Sequence, residues 1–237
     1  MENYGGDGMS KFRYGLHYLK WHQPTEAHYL EHMWFLKRIK EFLPKEKDAK
    51  ILDLGCGIGC YLYCLKKLGY NNVKGIEIDR ELAEIGKKAN LDVEFVENSL
   101  LWLKERKETF DLILLLDVLE HIEKREQIDF LQAIYHSLKR GGKLILTVPN
   151  ANSYLACRQR YNDWTHTSSF TEHSIEYILR NAGFQGFSIL DIVPFDKLWI
   201  IRKLVRAISR MFLISEYGLR GGLKIPLSLN LLVVAWK

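Results

Sequence analysis

Three glycines at alternate positions, Gly55, Gly57 and Gly59, follow an apolar run and mark the part of the chain best suited to hold a nucleotide. Glycine readily adopts positive φ and lets a ligand approach the backbone, so a strand that ends in such glycines and continues as a helix makes a tight corner around its ligand. Asp53 adds a carboxylate at the end of the same strand, where a cationic group of the ligand would meet it. These residues predict a nucleotide-type site at the first strand–helix junction.

The spacing around the glycines distinguishes between two cofactors. In the dinucleotide fingerprint a glycine or alanine stands where this chain has Cys60, so the pattern disfavours NAD, which stays open only as a minor alternative. NAD also has no primary ammonium for Asp53 to bind, whereas S-adenosylmethionine (SAM) carries both an ammonium and a sulfonium. The residues therefore favour SAM.

Several segments in this order resemble the class I SAM-dependent methyltransferases, over about residues 50–184. The segment 53–59 is similar to the first motif of that family, and 73–79 to its second strand, whose terminal acid, here Glu77, holds the ribose hydroxyls. Glu77 follows Gly55 by about twenty positions, as expected of an acid at the end of strand two. The resemblance implies an α/β, Rossmann-like, seven-stranded and mostly parallel sheet, with helices on both faces and an antiparallel last strand.

The resemblance also implies further cofactor contacts. Cys56 belongs to the glycine corner, and Ile78 follows Glu77. Asn98 and Ser99 come after the third strand, where the family offers an acidic side chain and a backbone amide to the adenine; the amide oxygen of Asn98 can still accept a hydrogen bond. Asp117 ends a nearly wholly apolar central strand, and this position is expected to point at the methionine or methyl group. A helix cap is the alternative role for Asp117.

The segment 161–170 is polar and aromatic and is predicted to lie on the ligand side of the sheet. Asp163 to Phe170 resembles the D-x-T-H-x-x-x-F segment of methyltransferases from surface-polysaccharide and sugar pathways. His166 is our first choice of general base, because imidazole generally titrates near neutral pH, and His121 is its rival. Asp163 would orient the imidazole. Alternatively Asp163 and Asp117 hold a divalent cation, or His166 and Asp163 only fix the loop; our prediction is a site without metal.

The alternation of strands and helices predicts one α/β domain over 46–237, after a tail and an amphipathic cap helix within 1–45. An acceptor-side loop is expected at about 150–170 and a helical insertion at about 195–225. Within that insertion, 197–212 forms a basic amphipathic helix with arginines on one face. It could contact an anionic membrane surface, pack on its own domain or make a dimer contact.

The N-terminal region is rich in histidine. His28 and His32 fit the H-x-x-E-H pattern of one zinc-protease class, but five residues from such a stretch carry little information. We expect these histidines on a solvated helical face, with Tyr18 or Trp21 closer to a ligand.

Three of the four cysteines crowd around the glycine corner at i, i+4 and i+8. They are Cys56, Cys60 and Cys64. Free cysteine behaves as a small hydrophobe, so we predict packing residues rather than a metal cluster. The cysteine pattern does not resemble a disulfide framework and indicates a reducing compartment.

Composition limits the partners. The formal net charge of +5 is too small to indicate nucleic acid but would suit an anionic acceptor. The sequence has no long apolar stretch and no secretory signal, so we expect a cytoplasmic protein, either monomer or homodimer.

Together these patterns predict a SAM-dependent O-methyltransferase acting on a sugar or glycan hydroxyl, possibly nucleotide- or lipid-linked, in surface-polysaccharide biosynthesis. The alternative is a methyltransferase of a quinone, lipid or other small metabolite. A SAM-binding protein without transfer activity is a third hypothesis, and the sequence does not specify which hydroxyl is methylated.

Overall fold

Seven strands form a single sheet at the centre of the protein. The computed structural model describes residues 14–192 and 199–237, so the predicted tail at 1–10 lies outside the described residues. The strands are β1 (Ile51–Leu54), β2 (Val73–Glu77), β3 (Val93–Phe95), β4 (Phe110–Leu116), β5 (Leu138–Pro149), β6 (Gly186–Asp191) and β7 (Asn230–Trp236). Their order is β3-β2-β1-β4-β5-β7-β6, and β7 alone runs antiparallel to its neighbours. The predicted fold class is confirmed.

Helices cover both faces of this sheet. They are α1 (Tyr14–Tyr18), α2 (Glu26–Glu31), α3 (Met33–Arg38), α4 (Cys60–Lys67), α5 (Arg80–Lys88), α6 (Ser99–Lys104), α7 (Gln127–Ser137), α8 (Ala156–Tyr161), α9 (Glu172–Asn181) and α10 (Trp199–Lys224), with short 3-10 turns at Lys40–Phe42 and Leu119–His121. Asp79 caps α5 through hydrogen bonds from the amides of Glu81 and Leu82, and Thr171 caps α9. Asp and Thr are both among the residue types favoured at this position, because their side-chain oxygens accept from free amides of the first helical turn.

The central strand β4 joins two hydrophobic cores. Successive side chains of a strand point to opposite faces, so Ile113 and Leu115 pack in the core beneath α7 and α9, while Leu112 and Leu114 pack beneath α3 and α4. All four side chains are fully buried. This burial on both faces explains why the strand is almost wholly apolar in sequence.

The N-terminal region is divided into short helices rather than the single amphipathic helix that was predicted. Thr25 caps α2, and a single residue, His32, separates α2 from α3, although its φ and ψ stay in the right-handed helical region. Tyr29, Leu36 and Ile39, which recur at helical spacing in this segment, are nevertheless buried. Periodicity identified the buried side of this segment correctly, but it could not reveal the interruptions.

Helix α10 lies between β6 and β7, as predicted for the insertion, but it is longer and has a kink at Gly218. Residues 197 and 198 of the predicted helix lie outside the described residues. Arg206 forms an ion pair with Asp191 at 3.2 Å, and Arg210 donates to the carbonyl of Ile225 at 2.6 Å. Apolar side chains such as Met211 are exposed instead. These two arginines therefore contact the protein itself. A helix that binds an anionic membrane surface would direct them away from the protein.

Candidate active site

The glycine corner wraps the end of β1 around a small cavity. Gly57 has a φ of 54°, and a β-carbon at this position would overlap the hydroxyl of Tyr18. Only glycine therefore allows the backbone and the Tyr18 ring to approach each other here. Four parts of the chain form the cavity walls. They are the N-terminal segment with Tyr18, His22 and His32, the corner with Asp53 and Cys56, the start of α4 with Cys60 and Tyr61, and the end of β4 with Asp117.

Asp53 places a buried carboxyl group with an unpartnered oxygen beside this cavity. Its side chain is 2% exposed, and its Oδ2 atom has no hydrogen-bond partner among the described residues. Burial, and to a lesser degree the neighbouring charge of Glu77, raises the pKa of Asp53 to about 7. A buried carboxylate oxygen without a donor is the group that an ammonium ion would satisfy, so the structure fits the predicted contact.

Glu77 holds the backbone of the corner. Its Oε2 accepts from the amide of Gly57 at 2.7 Å, and its Oε1 accepts from the amides of Ile78 and Asp79 at 2.8 and 2.9 Å. Burial raises the pKa of Glu77, although these three amides oppose the shift. This positioning role was not visible in the sequence, and it accompanies the predicted ribose contact.

The remaining predicted cofactor residues lie at the ends of β2 and β3. Ile78 is 62% exposed, so its side chain is available to cover an adenine. Asn98 caps α6, because its Oδ1 accepts from the amide of Leu101 at 2.9 Å, and Ser99 is the first residue of that helix. Cys56 is a buried free thiol beside the cavity. The cap uses one of the two lone pairs of the Asn98 oxygen and leaves the other for a ligand.

Asp117 is held in an uncommon backbone conformation, with a φ of 55°. Its Oδ1 accepts from the hydroxyl of Thr147 on β5 at 2.9 Å and from the amide side chain of Asn230 on β7 at 2.6 Å. Burial raises the pKa of this carboxyl. Asp117 does not cap a helix; two neighbouring strands hold it against the cavity.

His121 and His166 lie together beside Asp117, with their ring centroids 4.7 Å apart. The Nδ1 atom of His166 lies 2.8 Å from the carbonyl oxygen of Gln159, which can only accept, so Nδ1 carries the proton. The Nε2 atom of His166 therefore bears a lone pair. Gln159 also donates to Asn230, which links His166 to Asp117 through two side chains.

Asp163 acts on His121, whereas the prediction was that it orients His166. The Thr165 hydroxyl donates to Asp163 Oδ1 at 2.6 Å, so its oxygen accepts from Nδ1 of His121 at 2.7 Å. Burial by itself would raise the pKa of Asp163, but the hydrogen bonds from Thr165 outweigh it and the pKa is lowered. The expectation that Asp163 orients His166 directly is therefore wrong, because Thr165 directs the carboxylate to His121.

The alternative cation pair, Asp117 with Asp163, is also not favoured, because each carboxylate is bonded to other side chains. A different cluster is present: donor atoms of Glu120, His121 and His166 lie within 4.8 Å of one another. Glu120 is buried, and burial raises its pKa well above the usual value. Burial thus favours the neutral form of the Glu120 carboxyl, which lies close enough to both imidazoles to exchange a proton with them.

Several contributing residues were not recognised from the sequence. Asn230 and Gln159 belong to segments with no motif, and Thr165 appeared only as part of a loop pattern. Tyr18 was expected near a ligand and does line the cavity, whereas Trp21 is 69% exposed. The histidines of the N-terminal segment were expected on a solvated face, but His22 and His32 line the cavity. Burial, with the nearby histidines, lowers the pKa of His22 to about 4, so it is neutral near pH 7.

Comparison with known proteins agrees with this geometry. A family model described as a methyltransferase domain matches residues 26–189. The chain belongs to the class I SAM-dependent methyltransferases. It is an enzyme of that class, and SAM is its cofactor.

Individual relatives differ in their acceptors. A tRNA U34 carboxymethyltransferase from Pseudomonas paraeruginosa is 33% identical over 159 residues, which cover 62% of this chain and 48% of the relative. A ubiquinone biosynthesis O-methyltransferase from Hydrogenovibrio crunogenus is 30% identical over 161 residues, covering 61% of this chain and 65% of that protein. The chain thus spans about half the length of the first of these curated relatives and somewhat less than two thirds of the second.

A solved SAM-dependent methyltransferase from Archaeoglobus fulgidus shares the fold, with a TM-score of 0.69, 19% identity and coverage of 94% of this chain and 99% of its own. The names of these proteins refer to tRNA and to ubiquinone, so they lend no support to the predicted sugar acceptor. Among residues 14–192 and 199–237, no helix is long and apolar enough to cross a membrane.

Proposed function

We propose that this methyltransferase transfers the methyl group of SAM to a hydroxyl of a small metabolite. SAM would supply an activated methyl group on a sulfonium that leaves readily. In this proposal Asp53 binds the ammonium of the methionine part, Glu77 binds the ribose, and Asn98 with the amide of Ser99 binds the adenine. Ile78 covers the adenine, and the backbone of 55–57 approaches the ligand closely.

The acceptor hydroxyl must lose a proton as its oxygen attacks, and a positioned base contributes about 10²–10⁴-fold to such a step. The observation that carries the proposal is the imidazole pair, in which contacts to Gln159 and Thr165 fix both Nδ1 protons and leave both Nε2 atoms as acceptors. His166 takes the proton in this proposal. His121 is the second candidate, because burial lowers its pKa to about 4 and makes it a weaker base.

The groove beside this pair favours a flat and partly apolar acceptor. Its apolar lining comes from Trp34, Tyr154, Ile192, Leu227 and Leu229, and its polar lining from Gln159, Asn230, Ser228 and two arginines, Arg202 and Arg206. Aromatic and aliphatic side chains with a few polar groups suit a phenolic or quinol ring. The relative from ubiquinone biosynthesis supports the same class of acceptor.

A sugar or glycan hydroxyl is the second candidate, because the segment 163–170 has the D-x-T-H-x-x-x-F pattern. The exposed apolar side chains of α10 would let a lipid-linked acceptor be reached at a membrane surface. Both candidate acceptors need a histidine to take the proton of the hydroxyl. They differ only in how they would fit the groove.

An acceptor panel tests the proposal. Purified protein is incubated with SAM carrying a labelled methyl group and with phenols, quinols, sugar nucleotides, glycans or tRNA, and the products are identified by mass spectrometry. We expect the label on a phenolic or quinol oxygen. Label on a sugar would select the second candidate, and label on tRNA, or on nitrogen or carbon, would overturn the O-methylation of a small metabolite.

A further inference from the structure

A second group of side chains, distinct from the His121 and His166 pair, brings four metal-binding atoms together. His22, His28 and His32 belong to the N-terminal segment, and Cys60 is the first residue of α4. One nitrogen or sulfur atom from each residue lies within 4.8 Å of the others. The three imidazoles are half-buried and Cys60 is buried.

Contacts on the outer side of the cluster leave two imidazoles with a lone pair for a metal. The Nδ1 atom of His28 lies 3.1 Å from the Glu31 carboxylate, which can only accept, so His28 keeps its proton there and bears a lone pair on Nε2. The Nδ1 atom of His32 lies 3.1 Å from the carbonyl oxygen of His28, so the same reasoning applies. A carboxylate or carbonyl on the outer nitrogen is the usual partner of a metal-bound histidine.

The distances are close to those of a tetrahedral metal centre. Zinc lies about 2.0–2.1 Å from histidine nitrogen and about 2.3 Å from cysteine sulfur, which separates neighbouring ligand atoms by roughly 3.3–3.8 Å. Nε2 of His28 and Nδ1 of His22 are 3.1 Å apart, in a hydrogen bond whose proton a metal ion would displace. The remaining pairs all lie within 4.8 Å, so rotation of side chains would need to close them by at most about 1 Å.

We infer that His22, His28, His32 and Cys60 form a binding site for zinc or a similar divalent transition metal, which fastens the N-terminal segment to the start of α4. Four protein ligands complete a tetrahedral shell and leave no position for a reactive water, so the site is structural. The site is not the catalytic zinc site of the H-x-x-E-H proteases, because Glu31 is exposed and contacts the outer nitrogen of His28. The sequence alone predicted no metal here, because the five-residue pattern carries little information in a histidine-rich stretch.

Three residues of this metal site also form one wall of the cofactor cavity. His22, His32 and Cys60 line that cavity, and the ring of His22 stacks on Tyr18 at 4.0 Å. Metal binding would fix these residues before SAM arrives. We therefore expect SAM to bind more tightly to the metal-loaded protein than to the metal-free protein.

The test uses the full chain, freed of metal with a chelator and titrated with Co²⁺ as a spectroscopic probe and with Zn²⁺ in competition. We expect one ion per chain, visible bands typical of tetrahedral cobalt, and a thiolate-to-cobalt charge-transfer band. Cys60→Ser should remove the charge-transfer band. Cys157→Ser, at an exposed cysteine away from the cluster, should leave it unchanged.

A second variant avoids disturbing the core. Glu31 is exposed, so Glu31→Gln should leave the thermal midpoint of the metal-free protein unchanged. It should weaken metal binding about 10- to 100-fold, because removing the carboxylate that bonds the outer nitrogen of a metal-binding histidine typically has an effect of this size. His136→Gln, at an exposed histidine, is the matched control. These measurements need neither SAM nor acceptor, so their outcome is separate from that of the proposed methyl transfer.

Two results would overturn the inference. One is the absence of stoichiometric binding at micromolar Co²⁺ or Zn²⁺. The other is binding that both Cys60→Ser and Glu31→Gln leave unchanged, since the ion would then be held elsewhere on the chain.

Discussion

The amide of Gly57 donates a 2.7 Å hydrogen bond to the carboxylate of Glu77, so the end of β2 holds the glycine corner that follows β1. The two strands are parallel neighbours, and their carboxyl ends therefore meet at one edge of the sheet. In our proposal the same carboxylate binds the ribose of SAM. One side chain would thus shape the cofactor site and contact the cofactor.

Glu77→Ala should weaken SAM binding about 10- to 100-fold, because a charge-assisted hydrogen bond contributes roughly 1.5–3 kcal/mol. Isothermal titration calorimetry gives the SAM affinity, and thermal unfolding reports the loss of the three backbone contacts. Glu84→Ala, on the exposed face of α5, is the control. Equal losses of SAM and acceptor affinity would indicate general damage to the fold and contradict a specific cofactor role.

Gly57→Ala should abolish measurable SAM binding, because its β-carbon would displace Tyr18 from the cavity wall. Gly141→Ala is a close control: Gly141 also has a positive φ, at 76°, but a β-carbon there would have no neighbour within 4 Å. Both variants should lose about 1–2 kcal/mol of stability from backbone strain. Normal SAM affinity in Gly57→Ala would show that the corner does not approach the cofactor.

The affinity for SAM should depend on pH through Asp53. Burial first, and Glu77 second, raises the pKa of this carboxyl to about 7, and an ammonium ion binds only the ionised form. The dissociation constant should therefore rise about tenfold per pH unit below pH 7 and change little just above it. Calorimetry between pH 5.5 and 7.5 measures this slope. Asp53→Asn should bind weakly with no such slope, and a flat profile in the wild-type protein would exclude the predicted contact.

His166→Ala should lower kcat by about 10²–10⁴ while SAM binding is retained, because a general base acts only in the transition state. His121→Ala is measured in parallel, and His173→Ala, exposed on α9, is the control. If His121 were the base, kcat at saturating SAM would persist to well below pH 6, because burial lowers its pKa to about 4. Near-normal kcat in both variants would reject base catalysis by either histidine.

Local patterns were sufficient for the elements and for the cofactor edge of the sheet. The apolar strands and the glycine corner each depend on residues close in sequence, and the structure places them as expected. The division of the N-terminal helix was missed, because apolar periodicity continues across the break at His32. The sequence left the orientation of α10 open: its two faces were evident, but which face meets the protein depends on Asp191 and on distant carbonyls.

The sequence by itself predicted the fold class and the cofactor, since strand ends and glycine spacing fix where a nucleotide can bind, and the residues proposed to hold SAM come from the same pattern. Only the tertiary structure decided how side chains from distant segments share their hydrogen bonds. Asp163 reaches His121 through Thr165, Asn230 positions Asp117, and three N-terminal histidines meet Cys60. Such contacts act over a few ångströms between residues far apart in the chain, so no local spacing rule contains them.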